Sequence, residues 1–307
     1  MESTKTVGIF YNSITSIHKA PHKRLLMDNF RDGVLLNGDI VIEYTERGAP
    51  IGDIDCGFIL GYTLEQNFRR AIIDELASRN IPAIFVDSNI LHYSTTEHEW
   101  HRYSMNSVYP DDGVYFFDTM LDKWDYFSES NGVTLKSWQT RGNHILVLAQ
   151  RATGWNLLGN DQEEWIINTV RGIQQYSARP IVVRMHPGDG NRFIQAESLK
   201  ARLGDAITIS DNANIREDLV NCWCTVGYNS TPNVVARIEG VPGYLYDPNK
   251  SWASDVSFTS LNQIETPMVC DRGEWLEKIA NIHWSNDEVK AGKLWNAIRK
   301  YISTSRF

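Results

Sequence analysis

The sequence predicts an α/β protein of two Rossmann-like domains that face each other across a cleft. Two observations support this class. Short β-branched runs alternate with amphipathic helical segments in the first half of the chain, and the same alternation resumes after a break. Alternation at these lengths indicates βαβ units and parallel sheets. The 307 residues are enough for two domains, each with its own hydrophobic core.

The first half of the chain contains a regular series of strand and helix candidates. Short runs of β-branched and aromatic residues predict strands, and apolar residues at helical spacing predict helices. The predicted strands are residues 6–11, 39–44, 56–62 and 81–86, and the predicted helices are residues 23–37 and 64–78. Between residues 87 and 142 the pattern weakens into aromatic, histidine and polar residues, which predicts loops around a cleft.

A second series begins at residue 144. Its predicted strands are residues 144–149, 180–185, 206–210, 222–226 and 243–246, and its predicted helices are residues 161–176, 192–203, 215–220 and 232–238. Residues 274–302 are predicted to form terminal helices with a tryptophan-rich face. We therefore predict one domain at residues 1–140 and a second, with the terminal helices, at residues 141–307. Such domains bind ligands at the carboxyl ends of their strands.

Composition and charge narrow the class of protein. The chain is 42% hydrophobic, and its net charge of −8 argues against a dedicated nucleic-acid binder. No apolar run approaches the roughly 20 residues of a membrane span, and the first residues lack a secretory-signal layout. Asp53 and Asp55 have the spacing of a metal motif but lie in a glycine-rich turn without further ligands. We expect a soluble cytoplasmic protein, in the host cytoplasm if a phage encodes it.

The most informative segment follows the predicted strand at residues 180–185. Arg184 and His186 leave the carboxyl end of this strand, and Pro187 and Gly188 follow. Arginine offers a planar fork of donors and histidine a single donor, which together suit an anion. The alternative is a strand that ends in a turn, with His186 as a structural hydrogen bonder.

A second segment joins the predicted strand at residues 222–226 to a helix. Ser230 and Thr231 precede Pro232, and a hydroxyl residue before proline is a signal for a helix start. The amides and hydroxyls at such a start can bind a phosphate. The alternative is simple helix capping.

The third segment follows the predicted strand at residues 144–149. It contains Gln150, Arg151 and Gly154, a polar composition that fits a loop facing the cleft or an ordinary surface loop. All three segments follow strands of one predicted domain. We therefore expect a diphosphate to bind where they meet.

These segments resemble motifs of bacterial capsule glycosyltransferases. His186–Pro187, Asn-Ser-Thr at residues 229–231 and Gly-Val-Pro at residues 240–242 are similar to motifs of the Kdo transferases and the bacterial sialyltransferases. The resemblance implies the GT-B fold, with a nucleotide-sugar donor bound by the second domain. It also implies that His186, Ser230 and Thr231 contact the donor phosphate. The expected co-substrate is a UDP-sugar, with a CMP-sugar as the alternative, and no metal or further cofactor is expected.

An inverting transferase needs a base that takes the proton of the acceptor hydroxyl. Asp87 follows a strand and resembles the acid in the Glu-Asp-Gly motif of the Kdo transferases, although the glycine is absent. Asp112 lies in an Asp-Asp-Gly sequence that resembles the sialyltransferase base motif. We favour Asp87 because a strand end holds a side chain more rigidly than a turn. His92 and His101 are further candidates.

The acceptor is predicted from basic residues. Those expected to bind it are Lys19, His22, Lys23, Arg24, His92 and Arg102. Basic residues bind DNA phosphates, and the aromatic and histidine residues at 92–103 can stack on an extruded base. We therefore favour 5-hydroxymethylcytosine in phage DNA. The alternatives are a capsule or surface polysaccharide, a nucleotide-sugar epimerase that uses no acceptor, and a non-catalytic nucleotide-binding protein. The sequence leaves the oligomeric state open.

Overall fold

The chain divides into two compact units. A computed structural model describes residues 3–14, 21–65, 67–91, 99–116, 122–151, 159 and 161–304. The first unit consists of residues 1–125 and 277–307, and the second of residues 126–276. This division differs from the predicted one in two places. The first boundary lies at residue 125 rather than 140, and residues 277–307 belong to the first unit rather than the second.

The described residues contain two β-sheets. Their strands are β1 (Thr6–Ile9), β2 (Ile40–Glu43), β3 (Cys56–Leu60), β4 (Ala83–Asp87), β5 (Trp100–Met105), β6 (Val114–Tyr115), β7 (His144–Leu148), β8 (Ile181–Arg184), β9 (Ile207–Ile209), β10 (Cys222–Gly227), β11 (Gly243–Leu245) and β12 (His283–Ser285).

The helices alternate with these strands through most of the chain. In chain order they are α1 (Pro21–Leu36), α2 (Phe68–Ser78), α3 (Lys123–Ser130), α4 (Gln162–Gln174), α5 (Arg192–Leu203), α6 (Ile215–Asp218), α7 (Pro232–Ile238), α8 (Gly273–Asn281), α9 (Asn286–Lys290) and α10 (Lys293–Thr304). Among the described residues, none of them is both long and apolar enough to span a membrane.

The first unit contains a mixed sheet. Its strand order is β12-β5-β4-β3-β1-β2, with β6 paired to β5. Strands β2, β1, β3 and β4 are parallel, while β5 runs antiparallel to both β4 and β12. The carboxyl ends of the four parallel strands therefore lie at one edge, which we call the carboxyl edge of the first unit.

The terminal helices complete the core of the first unit. Trp295 of α10 packs edge-on against Phe30 of α1, and its indole nitrogen donates to Asp39 Oδ2 at 2.7 Å. Helix α9 approaches α1 closely at Gly33, where an added Cβ would lie 2.3 Å from the carbonyl oxygen of Val289. Val289 of α9 and Trp295 of α10 therefore belong to the core of the first unit, which explains the difference from the predicted division.

The second unit contains a fully parallel sheet. Its strand order is β11-β10-β7-β8-β9. The core is made largely of β-branched residues of the strands and apolar residues of α4, including Ile145, Val183, Val226 and Ile166, each with no exposed surface. Burial raises the pKa of the Cys222 thiol to about 12, as expected for a thiol inside a core. The carboxyl ends of these five strands form the carboxyl edge of the second unit.

The structure departs from the sequence prediction mainly between residues 87 and 142. Strands β5 and β6 and helix α3 lie where loops were predicted. The strand β5 is hidden from pattern analysis because its polar residues His101, Arg102 and Ser104 are buried, so that apolar and polar positions do not alternate. Strand β12 likewise interrupts the predicted terminal helices. The α/β class with parallel sheets is confirmed.

Candidate functional site

The switch point of the second sheet brings two of the predicted segments together. The chain runs from β7 outward to β8 and β9, then returns to the other side of β7 with β10. Ligands bind at such switch points in doubly wound sheets. Gln150 follows β7 and Asn229 follows β10, and the Asn229 amide donates to Gln150 Oε1 at 3.0 Å. This bond joins the Gln150 segment to the segment that contains Ser230.

The side chain of Asn233 is hydrogen-bonded to the turn after β10. This fully buried side chain donates from Nδ2 to the Ser230 carbonyl oxygen at 2.9 Å. Gly227 makes room for it, because a Cβ at that position would lie 2.3 Å from Asn233 Nδ2. Ser230 is half-buried and Thr231 is exposed at the start of α7, where its side chain makes no capping bond. The two hydroxyl groups are therefore held at the carboxyl edge by a rigid turn.

His186 follows β8 at the same edge. Its Nδ1 accepts a hydrogen bond from the Gly188 amide at 3.0 Å. In a neutral ring the proton is then on Nε2, which makes that atom a donor. Burial lowers the pKa of His186, and the positive charge of Arg151 lowers it further. Both effects favour the neutral ring, and Arg151 of the third segment lies near enough to act on it.

Arg184, which was predicted to bind the donor phosphate, is held by partners within the second unit. Its Nη1 donates to Asp218 Oδ2 at 2.6 Å and to the Asn212 carbonyl oxygen at 2.8 Å, and its Nη2 donates to the Ala213 carbonyl oxygen at 3.0 Å. Both side chains of the pair are buried. We therefore interpret Arg184 as a structural residue that fixes the loop after β9, and not as a ligand of the donor phosphate.

Asp87 and Arg102 form an ion pair at the carboxyl edge of the first unit. The register of β4 and β5 sets them opposite each other, and Arg102 Nη2 lies 2.6 Å from Asp87 Oδ2. Arg102 Nε also donates to the Ser88 carbonyl oxygen, while the Ser88 amide donates to Asp87 Oδ1. Burial lowers the pKa of Arg69, and the charge of Asp87 opposes that shift, so this second guanidinium is also close. The predicted base and a predicted acceptor residue are thus partners.

Asp112 lies at the opposite edge of the same sheet. Strand β5 runs antiparallel to β4, so that Met105 pairs with Ile84 near the start of β4. The loop to β6 therefore extends from the amino edge. It closes tightly on itself, since a Cβ on Gly113 would lie 2.4 Å from the Ser107 carbonyl oxygen. With about 3.3 Å per residue, the length of β4 separates Asp112 from the Asp87 end by more than 10 Å.

The basic cluster near the N-terminus is partly compensated within the chain. Arg24 lies 3.6 Å from Asp28 in α1 and stacks over the Tyr11 ring. His22 and Lys23 lie half-buried in the first turn of α1. The remaining predicted site residues, Lys19, His92 and Gly154, lie outside the described residues.

Two further residues considered in the sequence analysis, His101 and Asp55, make contacts within the first unit. His101 is buried within β5, paired with β12. Asp55, which with Asp53 has the spacing of a metal motif, accepts from the Thr6 amide at 2.7 Å and from Lys5 Nζ at 3.4 Å. In the described part of the chain, no three histidine, cysteine, aspartate or glutamate side chains come together as a metal site.

Comparison with known proteins supports the fold. No protein-family model matches the sequence, and no curated protein matches it significantly. The chain is similar in structure to KpsC from Thermosulfurimonas dismutans, a β-Kdo 2,4-transferase, with a TM-score of 0.57, 11% identity, and 98% and 99% of the two chains covered. It is also similar to the β-Kdo 2,7-transferase of KpsC from the same organism, with a TM-score of 0.56, 10% identity, and 95% and 99% covered. The chain therefore has the GT-B fold.

Proposed function

We propose that the chain is a glycosyltransferase that moves a sugar from a nucleotide-sugar donor to a hydroxyl acceptor. The observation that carries this proposal is the junction of Gln150 with Asn229 at the switch point of the second sheet. It gathers two polar segments at the edge where such sheets bind ligands. The GT-B fold, which the chain shares with two Kdo transferases, also supports a glycosyltransferase.

The donor phosphates would contact groups that are already positioned. In this proposal His186 donates from Nε2, and the hydroxyls of Ser230 and Thr231 donate from the turn after β10. Arg151 supplies positive charge next to His186. Hydrogen bonds to a charged phosphate are the strong ones, and they strengthen further as the leaving group gains charge. We propose that these side chains stabilise the departing nucleotide directly.

The acceptor hydroxyl would lose its proton to Asp87. Arg102 fixes the carboxylate through Oδ2 and holds its backbone through the Ser88 carbonyl oxygen. The side chain of Asp87 keeps 29% of its surface exposed, so a substrate can reach it. Proton removal as the anomeric carbon is attacked is the chemistry of an inverting transferase. We propose this stereochemical course on the basis of the paired carboxylate.

A carbohydrate acceptor fits these observations better than DNA. DNA binding depends on basic residues that neutralise phosphates. Arg24 already neighbours Asp28, Arg102 is paired with Asp87, and the whole chain carries a net charge of −8. We therefore propose a glycan hydroxyl, and treat 5-hydroxymethylcytosine DNA as the competing acceptor.

Donor binding tests the central claim. The purified chain is titrated with UDP-, GDP- and CMP-sugars by calorimetry, and the tightest binder is measured again with His186→Ala. Loss of a hydrogen bond to a charged group costs about 1.5–3 kcal/mol, on the order of 10- to 100-fold in affinity. His144→Ala is the control, because it removes another half-buried histidine from the amino end of β7. Equal affinity for both variants would contradict the donor site.

Analysis of the reaction products distinguishes a glycosyltransferase from an epimerase and from a nucleotide sensor. Each donor is incubated without acceptor, with oligosaccharides, and with duplex DNA that contains 5-hydroxymethylcytosine. We expect nucleotide release that requires an oligosaccharide. Sugar conversion without any acceptor would identify an epimerase instead, and binding without turnover a nucleotide sensor. Transfer to DNA that falls steeply as salt rises would restore the DNA acceptor.

A further inference from the structure

We propose that the second unit has another small-molecule site, which binds a single pyranose ring. The site is a cavity of about 270 Å³ between the first turns of α4 and the carboxyl ends of β10 and β11. Its lining does not include Gln150, His186, Ser230 or Thr231. The site is therefore separate from the proposed phosphate contacts, and the inference does not depend on them.

Two stacked tyrosines form one wall of this cavity. Tyr228 and Tyr246 have ring centroids 4.9 Å apart at an angle of 29°. Tyr228 is 4% exposed, whereas Tyr246 is 55% exposed. The backbone of Tyr246 is fixed, since its amide donates to the Gly227 carbonyl oxygen at 2.9 Å. One face of Tyr246 is thus supported from behind, and the ring remains accessible as a rigid aromatic platform.

Polar groups of α4 surround the platform. Asp161 and Glu164 line the cavity together with the amide of Asn168. Asp161 Oδ1 caps the helix by accepting from the Glu164 amide, and Glu164 Oε1 pairs with Arg202 at 2.6 Å. Each of these contacts engages one carboxylate oxygen, so the second oxygen of each residue can accept from a ligand hydroxyl.

Trp165 gives a second, independent indication of a ligand. It lines the cavity, is 7% exposed, and packs edge-on against Tyr228. Its indole N–H is buried and has no hydrogen-bond partner among the described residues. Buried donors are nearly always paired, and an exception points to a group that the protein alone does not provide. A ligand oxygen would be such a group.

The lining selects the class of ligand. Among the described residues, no lysine, arginine or histidine lines the cavity, so a phosphate has no partner there. Tyr228 and Tyr246 already contact each other, so a flat base cannot enter between them. A pyranose has a C–H face for an aromatic platform and hydroxyls that both donate and accept around its edge. The volume lies near the lower end for ligand pockets and suits one ring.

Binding of simple glycosides to the full chain tests the proposal. Methyl glucoside, galactoside, mannoside and N-acetylglucosaminide are titrated separately, with saturation-transfer NMR as the readout. We expect at least one to bind with a dissociation constant of roughly a millimolar. Tyr246→Ala should weaken it by about tenfold or more, whereas Tyr176→Ala should not. Tyr176 is a matched control, because it is 49% exposed and lies beyond the other end of α4.

Other results would overturn the assignment. Cytidine and choline are titrated in parallel as probes for a nucleobase and a quaternary amine. Binding of either probe that is lost in Tyr246→Ala, with no glycoside bound, would replace the pyranose. No glycoside binding, or binding that Tyr246→Ala leaves unchanged, would remove the site. His186→Ala should leave glycoside binding intact, which separates this proposal from failure of the donor site.

Discussion

Two aspartate–arginine pairs with the same 2.6 Å contact have opposite surroundings. Arg184 and Asp218 lie in the second unit with side chains 10% and 3% exposed. Arg102 and Asp87 lie in the first unit, with Arg102 9% exposed but Asp87 29% exposed. Both arginines also donate to backbone carbonyl oxygens, and both anchor a loop beside a strand end. Geometry alone would give the two pairs the same role.

The difference lies in how many partners each carboxylate already has. Asp218 accepts from Arg184 through Oδ2, and from Ser210 Oγ at 2.6 Å and Asn212 Nδ2 at 2.7 Å through Oδ1. Both of its carboxylate oxygens are hydrogen-bonded within the protein, and with 3% of the side chain exposed a substrate has almost no access to them. Asp87 accepts from Arg102 and from one neighbouring amide and keeps an exposed side. Saturated and buried pairs fix structure, whereas a half-exposed pair can also act on a ligand.

The largest expected effect is on stability, at Asp218. Asp218→Ala leaves the Arg184 guanidinium buried without its carboxylate, which should lower the free energy of unfolding by about 3–5 kcal/mol. Urea denaturation followed by tryptophan fluorescence measures the change. Asp205→Ala removes an exposed aspartate of the same unit and should stay within about 0.5 kcal/mol. A loss no larger than that of Asp205→Ala would show that this pair does not hold the loop.

The next largest effect is on turnover, at Asp87. Asp87→Asn keeps one acceptor oxygen, which can serve Arg102 or the Ser88 amide but not both, and removes the basic carboxylate. The transfer rate should fall by about 100-fold or more while donor affinity stays the same. Asp112→Asn, at the amino edge, should retain the rate. An inactive Asp112→Asn with an active Asp87→Asn would move the base to the turn and undo the comparison of the two pairs.

The sequence predicts best those elements whose burial is uniform. Strands β7, β8 and β10 are buried on both faces and appear as short apolar runs, so their positions agree with the prediction to within two residues. Strand β5 is equally buried but contains Arg102, whose charge is balanced by Asp87 fifteen residues earlier. That compensation exists only once the strands pair, and a local pattern cannot reveal it.

The same limit applies to the candidate site. His186 and Ser230 could be proposed from the sequence because each lies within three residues of the end of a buried strand, and chain order alone places such residues at the carboxyl edge. Arg184 precedes His186 by two residues and has an equally suggestive position. Its partner Asp218 is distant in sequence, and only the folded unit shows that the guanidinium is engaged. The hydrogen bond between Gln150 and Asn229 could likewise not be predicted from the sequence, because it forms only when β10 pairs with β7.

The smallest expected effect is a shift in the titration of His186. Burial is the main cause that lowers its pKa, and the charge of Arg151 is the second. Arg151→Gln should therefore raise the pKa of His186 towards its ordinary value, measured by NMR of the imidazole Hε1. Arg171→Gln, on an exposed position of α4, should leave it unchanged.

Stability should follow the same titration. Because the folded pKa lies below the unfolded one, the unfolded chain binds more protons between the two values, and stability falls as the pH drops through the unfolded pKa. In His186→Gln this part of the acid-side decline should be absent.

A bound nucleotide diphosphate should act in the opposite direction to Arg151, since its negative charge favours the protonated ring and raises the pKa of His186. If saturating nucleotide leaves the pKa of His186 unchanged, the phosphates do not lie beside this ring, and the second unit's edge would lose its role as the donor site.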